Sequence, residues 1–390
     1  MLARRVATVL SALILLVSPA FPEPPKLDLQ AQVERVRTDY GLVAMGAVVA
    51  TSEAGVVALA VSGERAKGRA DPVQPSDAWH IGSNTKMLTA LLYARLVEAG
   101  HADWGATLPE LFPALAAEMD AGWLKVTIED LLSHRSGAAP NASLAWMLGS
   151  KASKQSLPVQ RANLARTVLT APPAGKPGEF TYSNLGYILA GGAIERLAAG
   201  TPSPEAKSYE LLMREYVIAK APAGAGLGFG FGPPRSGIEG HAPGLFGFGV
   251  TAQGRGAGAD NPAALGPAGT AHYSLRGHAL MLLSFLEGPR ALPEAIRKKL
   301  LTNYPDQASD YGLGWANSMH DEAGRIHMHA GSNTVWLSQV VLAPDHGAVI
   351  IVNTNQHNPK AEKAVRELTE FLLRHVSGAV EWDGSAQVER

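Results

Sequence analysis

The chain has 390 residues, enough for two or three structural units around a large core. Its 34 Lys and Arg against 35 Asp and Glu leave no basic stripe, which argues against nucleic acid as a partner. Cysteine is absent, which excludes disulfides, thiolate metal sites, cysteine nucleophiles and a lipidated N-terminal cysteine, and the 41 Gly and 26 Pro show no period, so collagen-like and solenoid readings fail.

Arg4 and Arg5 precede a mostly apolar stretch, Val6 to Val17. Ser18-Pro19-Ala20 then puts small residues at the −3 and −1 positions of a cut after Ala20. This is the pattern of a secretory signal peptide, and it falls short of the ~20 apolar residues a membrane-spanning helix needs. The expectation is removal of residues 1–20, a secreted or periplasmic mature chain, and no stable membrane insertion afterwards. An uncleaved anchor is the alternative.

Residues 21–28 read as extended and 29–40 as a short helix. Leu42–Ala50 and Val56–Val61 read as strands joined by a turn at Ser52-Glu53-Ala54-Gly55, and 64–78 as loop. After Ser83, residues Leu88, Leu91, Leu92 and Leu96 follow a helical period, with Gly100 as the stop. Further helices are predicted at Ile128–Ser133, Pro158–Thr170, Leu185–Ala199 and Pro204–Val217. Fifteen of the fifty residues in 221–270 are Gly. No G-x-G-x-x-G lies there between a strand and a helix, so the segment is no dinucleotide loop and reads as a long ordered loop bordering a site. A helix at Leu275–Glu287 follows, then strands at Tyr311–Ser318, Ile326–His329, Trp336–Leu342 and Ala348–Val352. Asn358 and Pro359 suit an N-cap and first turn. Ala361, Val365, Leu368 and Leu372 mark one face of the helix they begin.

That order predicts an α+β fold: one antiparallel sheet built from both chain ends, flanked by helices, plus a mainly helical lobe. The sheet domain would take 28–82 and 305–378, the lobe 83–304, and a site would lie in the cleft between them.

Three short motifs carry chemistry. Ser83 and Lys86 are three apart at the start of a helix, so they share a face, and the helix N-terminus favours a developing alkoxide. Burial would lower the lysine pKa and make it a base for the serine. Alone the spacing is weak, since an N-cap serine with a solvated lysine looks the same. Tyr182-Ser183-Asn184 sits in a Pro/Gly turn before a helix, where Tyr can relay a proton and Asn can bind an amide or hold the lysine; a core Tyr and a capping Asn would read alike. His329-Ala330-Gly331 leads into a strand, and glycine there admits close approach to the backbone. His327 and His329 lack a third ligand, so no metal or cofactor is expected.

Ser-x-x-Lys, Tyr-x-Asn and His-x-Gly in this order resemble the serine β-lactamase and penicillin-binding superfamily, in its class C-like branch of β-lactamase-related hydrolases, family VIII esterases and D,D-carboxypeptidases. "HIGSNTKMLTALLYARLVEAGHADW", "TIEDLLSHRSG", "PGEFTYSNLGYILAGGAIE", "GTAHYSLRGHALML" and "YGLGW" extend the resemblance over residues 30–375. It implies a β-lactamase/transpeptidase-like fold and an acyl-enzyme on Ser83. Lys86 and Tyr182 would share the proton transfers, with the base left open, and Asn184 would orient lysine or substrate. Substrate would lie against His329 and Gly331, with backbone N–H groups of Ser83 and Ser332 as the oxyanion hole.

The third motif departs from the Lys-Thr-Gly of class C β-lactamases. His329 is mostly neutral near pH 7, and Ala330 has no hydroxyl, so capture of a substrate carboxylate should be weak. The implied function is an exported serine hydrolase cleaving small esters, amides or peptides. A D,D-carboxypeptidase, D-aminopeptidase or weak β-lactamase is the alternative, with Arg235 or Arg255 as carboxylate anchor. A non-catalytic penicillin-binding or sensor protein is the alternative of another class. The oligomeric state is left open.

Overall fold

The computed structural model describes residues 28–199, 207–235, 237–244 and 249–379. The segment read as an export signal lies outside these residues. Among them, no helix is long and apolar enough to cross a membrane.

Helix α1 (Leu29–Asp39) is followed by the hairpin β1 (Ala44–Thr51) and β2 (Gly55–Gly63). Helices α2 (Thr85–Glu98), α3 (Leu157–Leu169), α4 (Asn184–Ala199) and α5 (Leu275–Leu282) occupy the middle. Strands β3 (Ala316–His320), β4 (Gly324–Ser332), β5 (Leu337–Ala343) and β6 (Ala348–Thr354) lead to helix α6 (Pro359–Val376). The six strands form one sheet in the order β2-β1-β6-β5-β4-β3, antiparallel at every pairing. The two chain ends meet at its centre, where Val48 lies opposite Ile351. This is the α+β architecture that the order of elements predicts, and it agrees with the β-lactamase/transpeptidase-like fold that the resemblance implies.

The composition of the central strands follows from their place. Met45, Ala47 and Val49 pack with Ile350 and Val352 against Val33 and Val36 of α1 and Val365, Leu368 and Leu372 of α6. Val48, Val349 and Ile351 face the other way, into the core shared with α2 and α5. A strand covered on both faces needs an unbroken apolar run rather than alternation, and β1 and β6 have one. Helix α2 is buried nearly all round, so its leucine face is only part of what it packs.

The structure moves several predicted boundaries. The strand expected at Tyr311–Ser318 begins at Ala316; Tyr311 meets Ala316 as an isolated bridge and Gly312 N–H donates to Trp315 O, closing a turn. The helix expected at Pro204–Val217 is a short turn, Tyr209–Leu212, running into a wide turn, Met213–Ile218; 204–206 lie outside the described residues. Segment 221–270 is not loop throughout. Gly230–Phe231 joins Ala78–His80 and Ala271–Ser274 in a second, three-stranded sheet, and His241–Pro243 pairs with Val250–Ala252. Helices at Leu144–Ala152 and Glu294–Leu301 were not predicted.

His278 on α5 is fully buried, stacked on Tyr273 at 5.2 Å, and among the described residues neither ring nitrogen has a hydrogen-bond partner. Burial pushes its pKa down to about 3. The folded value lies below the unfolded one, so the unfolded chain binds the extra proton. The stability is therefore full above pH 6.5 and lost as pH falls toward 3. In urea titrations between pH 6 and 4, His278→Leu should flatten the pH slope of the unfolding free energy by about 1.4 kcal/mol per pH unit, the value of one proton.

Candidate active site

Ser83 lies in a tight turn, Gly82–Asn84, that runs directly into α2, so the nucleophile candidate and Lys86 share the first turns of one helical path. Lys86 is 0% exposed. Its Nζ stands 3.1 Å from Ser83 Oγ, 2.7 Å from Asn184 Oδ1 and 2.6 Å from the Ala268 carbonyl. Both oxygens of the second pair are pure acceptors and take N–H donors from the amine. The remaining direction points at Ser83 Oγ, which suits the lone pair of a neutral amine receiving the hydroxyl proton. Burial drives the Lys86 pKa well below its ordinary value, in the direction this arrangement needs.

Asn184 opens α4. Ser183 caps that helix, its Oγ accepting from Gly186 N–H at 2.9 Å and donating to Ala139 O at 2.6 Å. Asn184 Nδ2 donates to Asn141 Oδ1 at 2.7 Å, which fixes the amide so that its oxygen faces Lys86. Tyr182 is 37% exposed and lies with its ring 4.8 Å from Lys86 Nζ. Desolvation of its hydroxyl outweighs the lowering influence of Ser83 and raises the Tyr182 pKa to about 12, so the phenol keeps its proton at neutral pH.

His134 supports this corner. It is buried with φ +64°, its Nδ1 accepts from Ser183 N–H at 3.0 Å, and its ring lies tilted against Tyr182 with centroids 4.2 Å apart. The motif holding it, "TIEDLLSHRSG", was visible in the sequence without a role for the histidine.

His329 is buried, and both ring nitrogens are engaged within the protein. Nδ1 faces Asn84 Oδ1 at 3.2 Å and Nε2 faces Tyr311 Oη at 3.2 Å. Asn84 Nδ2 donates to Ser338, so its Oδ1 accepts, which puts the histidine proton on Nδ1 and makes Nε2 an acceptor for the Tyr311 hydroxyl. Burial first, then the charge of Lys86, drops the His329 pKa to about 3. The ring is neutral and offers substrate no cation.

Gly331 and Ser332 end β4 against the Ser83 turn. A Cβ on Gly331 would stand 1.9 Å from Ile81 O and 2.9 Å from Ser83 N. A Cβ on Gly82, where φ is +51°, would stand 2.4 Å from Ser332 N. Two glycines thus let the backbones carrying the Ser83 and Ser332 N–H groups come into contact.

A cleft of about 440 Å³ adjoins this site, lined by Phe180, Tyr182, Tyr311, Met328, His329 and Ala330, with Asp310 as its one charged side chain. Neither Arg235 nor Arg255 lines it. Arg255 donates to Gly237 O and lies 3.6 Å from Glu239.

Among the described residues, His320, Glu322 and Glu370 offer three ligand atoms close enough to hold a metal ion. His320 Nδ1 accepts from the N–H groups of Glu322 and Ala323, so the neutral ring carries its proton on Nε2 and donates it to Glu370 at 3.1 Å. Arg374 lies 3.2 Å from Glu322 and 3.1 Å from Glu370. The group reads as an ion-pair cluster.

The family model described as Beta-lactamase matches residues 29–374. Among solved structures, SurE is similar with a TM-score of 0.69 and 22% identity, covering 92% of this chain and 77% of that one. D-amino acid amidase from Ochrobactrum anthropi SV3, complexed with L-phenylalanine amide, gives a TM-score of 0.67 at 18% identity, covering 90% and 98%. The β-lactamase/D-alanine carboxypeptidase from Yersinia pestis, complexed with citrate, gives 0.65 at 18%, covering 89% and 98%. A curated relative, described as a fimbrial assembly protein (FimD, serogroup D) in Dichelobacter nodosus, is 30% identical over 148 residues, 38% of this chain and 36% of the relative. The chain therefore matches little more than a third of that relative's length.

Proposed function

This chain belongs to the Beta-lactamase family and is a serine hydrolase, and from that premise we propose that it cleaves small amides or esters through an acyl-enzyme on Ser83. The observation that carries the reading is the placement of Lys86. Its buried amine gives two N–H groups to fixed acceptors and turns its third position to Ser83 Oγ.

In the proposed reaction Ser83 Oγ attacks the substrate carbonyl carbon while its proton passes to Lys86 Nζ. The carbonyl oxygen, now negative, is held by the N–H groups of Ser83 and Ser332. The C–N or C–O bond to the leaving group breaks, and the leaving group takes a proton through Tyr182, whose phenol is refilled from Lys86. Water then attacks the acyl-enzyme by the same route in reverse order. Asn184 holds Lys86 in place, and His329 and Gly331 form the floor of the site beside the acyl group.

The cleft lining supports one substrate class over another. Its charged side chain is an acid, Asp310, and the histidine of the third motif is neutral. A carboxylate-bearing substrate gains nothing there, whereas a free amine would meet Asp310. The amidase bound to L-phenylalanine amide is a structural relative with such a ligand. We therefore place this chain with hydrolases of amino-acid amides or esters rather than with strong β-lactamases. Export by the N-terminal segment belongs to the same proposal.

The test compares kcat/KM for phenylalanine p-nitroanilide, its N-acetyl form and nitrocefin, with Ser83→Ala as blank. The free-amine substrate should lead, Ser83→Ala should abolish turnover of all three, and Asp310→Asn should lower the free-amine preference about tenfold, the worth of one partly exposed charge pair near 1.4 kcal/mol. A lead for nitrocefin would overturn the substrate assignment. Turnover surviving in Ser83→Ala would overturn the mechanism.

A further inference from the structure

Three residues outside the Ser-x-x-Lys, Tyr-x-Asn and His-x-Gly motifs meet behind the oxyanion hole. His80 is 0% exposed, and its Nδ1 accepts the Gly82 N–H at 3.1 Å. A ring accepting at Nδ1 carries its proton on Nε2, and Nε2 lies 2.9 Å from Asp260 Oδ2. The other Asp260 oxygen accepts from Asn333 Nδ2 at 2.9 Å and from Asn261 N–H at 2.7 Å. Asp260 and Asn333 are themselves buried. The buried carboxylate thus has a donor on each side, one from the segment that precedes Ser83 and one from the residue that follows Ser332.

The two ends of this chain of bonds are the two backbones that must be held together. Gly82 precedes one oxyanion donor and its Cα abuts the N–H of the other. Asn333 follows Ser332 and leads into Thr334, whose φ of +79° is strained for a β-branched residue. Asn333 Oδ1 accepts from Val335 N–H at 3.3 Å across that turn, and Ser332 Oγ accepts from Thr334 N–H at 2.9 Å. A strained turn beside a reactive centre needs surroundings that over-determine it, and the bond from Asn333 to Asp260 is one such restraint.

We propose that His80, Asp260 and Asn333 are positioning residues that fix the Ser83 and Ser332 N–H groups relative to each other. The Gly-rich segment, which supplies Asp260, is then part of the catalytic apparatus rather than only the border of a cleft. None of the three touches substrate. The inference rests on the acyl-enzyme reading above and names the support of its oxyanion hole.

Asp260→Asn is the informative variant, because its shape is unchanged. An amide there sets N–H against the His80 Nε2–H, or shifts that proton to Nδ1, where it opposes the Gly82 N–H. The reading compares an oxo ester with its thiono analogue, whose larger, softer sulfur gains little from the hole. Asp260→Asn should lower kcat for the oxo ester about 10- to 100-fold, less than the loss of a whole donor, with KM within about threefold and the thiono rate within about threefold. Equal losses for both esters, or no loss, would overturn the proposal. If Asp260→Asn does not fold, Asn333→Ala cuts only the Ser332 side and is judged by the same ratio. End-point labelling of Ser83 by a fluorophosphonate, read by mass, keeps the two readings apart. An unlabelled wild type sinks the hydrolase reading itself, while a labelled wild type with an unchanged oxo-to-thiono ratio in the variants sinks only this inference.

Discussion

Lys86→Arg should lower kcat/KM by about 10³- to 10⁴-fold, although it keeps the positive charge and a long stem. An arginine beside Ser83 stays protonated at any working pH, so it can supply charge but cannot take the Oγ proton. A site that needed only a cation would tolerate the change far better. The pH profile gives a second, independent reading. Lys86 is held well below its ordinary pKa by burial, and the base is its neutral form. The wild-type kcat/KM should therefore rise with pH along one acid limb as Lys86 loses its proton. With the N-acetyl substrate, which has no titrating amine, it should not fall again before pH approaches the Tyr182 value of about 12. His329, at about 3, is already neutral and adds no limb near neutrality. Residual activity in Lys86→Arg should have lost the acid limb. With the N-acetyl substrate, whose blocked amine cannot titrate, an alkaline limb near pH 8 in the wild type would point to a group other than Tyr182 as the acid and would sink the assigned proton route.

How far residues alone predicted this arrangement depended on the range of the interactions. Ser83 and Lys86 are joined by a helical turn, and Tyr182 and Asn184 by a capped helix start, so local spacing was enough to single them out. The strands β1 and β6 were visible because a strand buried on both faces is a nearly unbroken apolar run. The partner that completes the Lys86 environment, the Ala268 carbonyl, left no trace, since any residue type carries one. His80, Asp260 and Asn333 escaped for another reason: 180 residues separate the first two, and nothing in either neighbourhood signals the other. The three-stranded sheet was missed because strands of two to four residues are too short to show a period. The helix at Leu144–Ala152 was missed because its apolar residues do not line one buried face: Trp146 and Met147 pack only partly on the core while Leu144 and Leu148 stand exposed.

Arg161→Met should destabilise the fold by about 3–5 kcal/mol at pH 8, the usual cost of leaving a buried charge unpaired. Arg161 is fully buried on α3, with ion pairs to Glu195 of α4 and to Glu210, and its Nε donates to Ala264 O at 3.0 Å. Glu195 also accepts the Tyr209 N–H at 2.8 Å. One guanidinium thus joins two helices, the turn at Tyr209–Leu212 and the segment 263–269 that carries the Ala268 carbonyl. Methionine keeps most of the volume but leaves Glu195 without its cation. Burial already pushes the Glu195 pKa up against the pull of Arg161, and in the variant burial and the neighbouring Glu210 are opposed only by the Tyr209 N–H. A carboxylate raised above its unfolded value contributes stability below the unfolded pKa and loses it as pH rises through the folded one. The defect should therefore be small near pH 4.5 and grow steadily toward pH 8. Urea unfolding of Arg161→Met and of Arg161→Met/Glu195→Gln at several pH values checks this. The second change should remove most of the pH dependence by removing the group that titrates. A defect equal at all pH values, or one unchanged by Glu195→Gln, would mean that lost packing around Arg161, and not the stranded carboxylate, sets the cost. Because the segment 263–269 also positions the acceptor for Lys86, the single variant should lose activity at temperatures well below its unfolding midpoint.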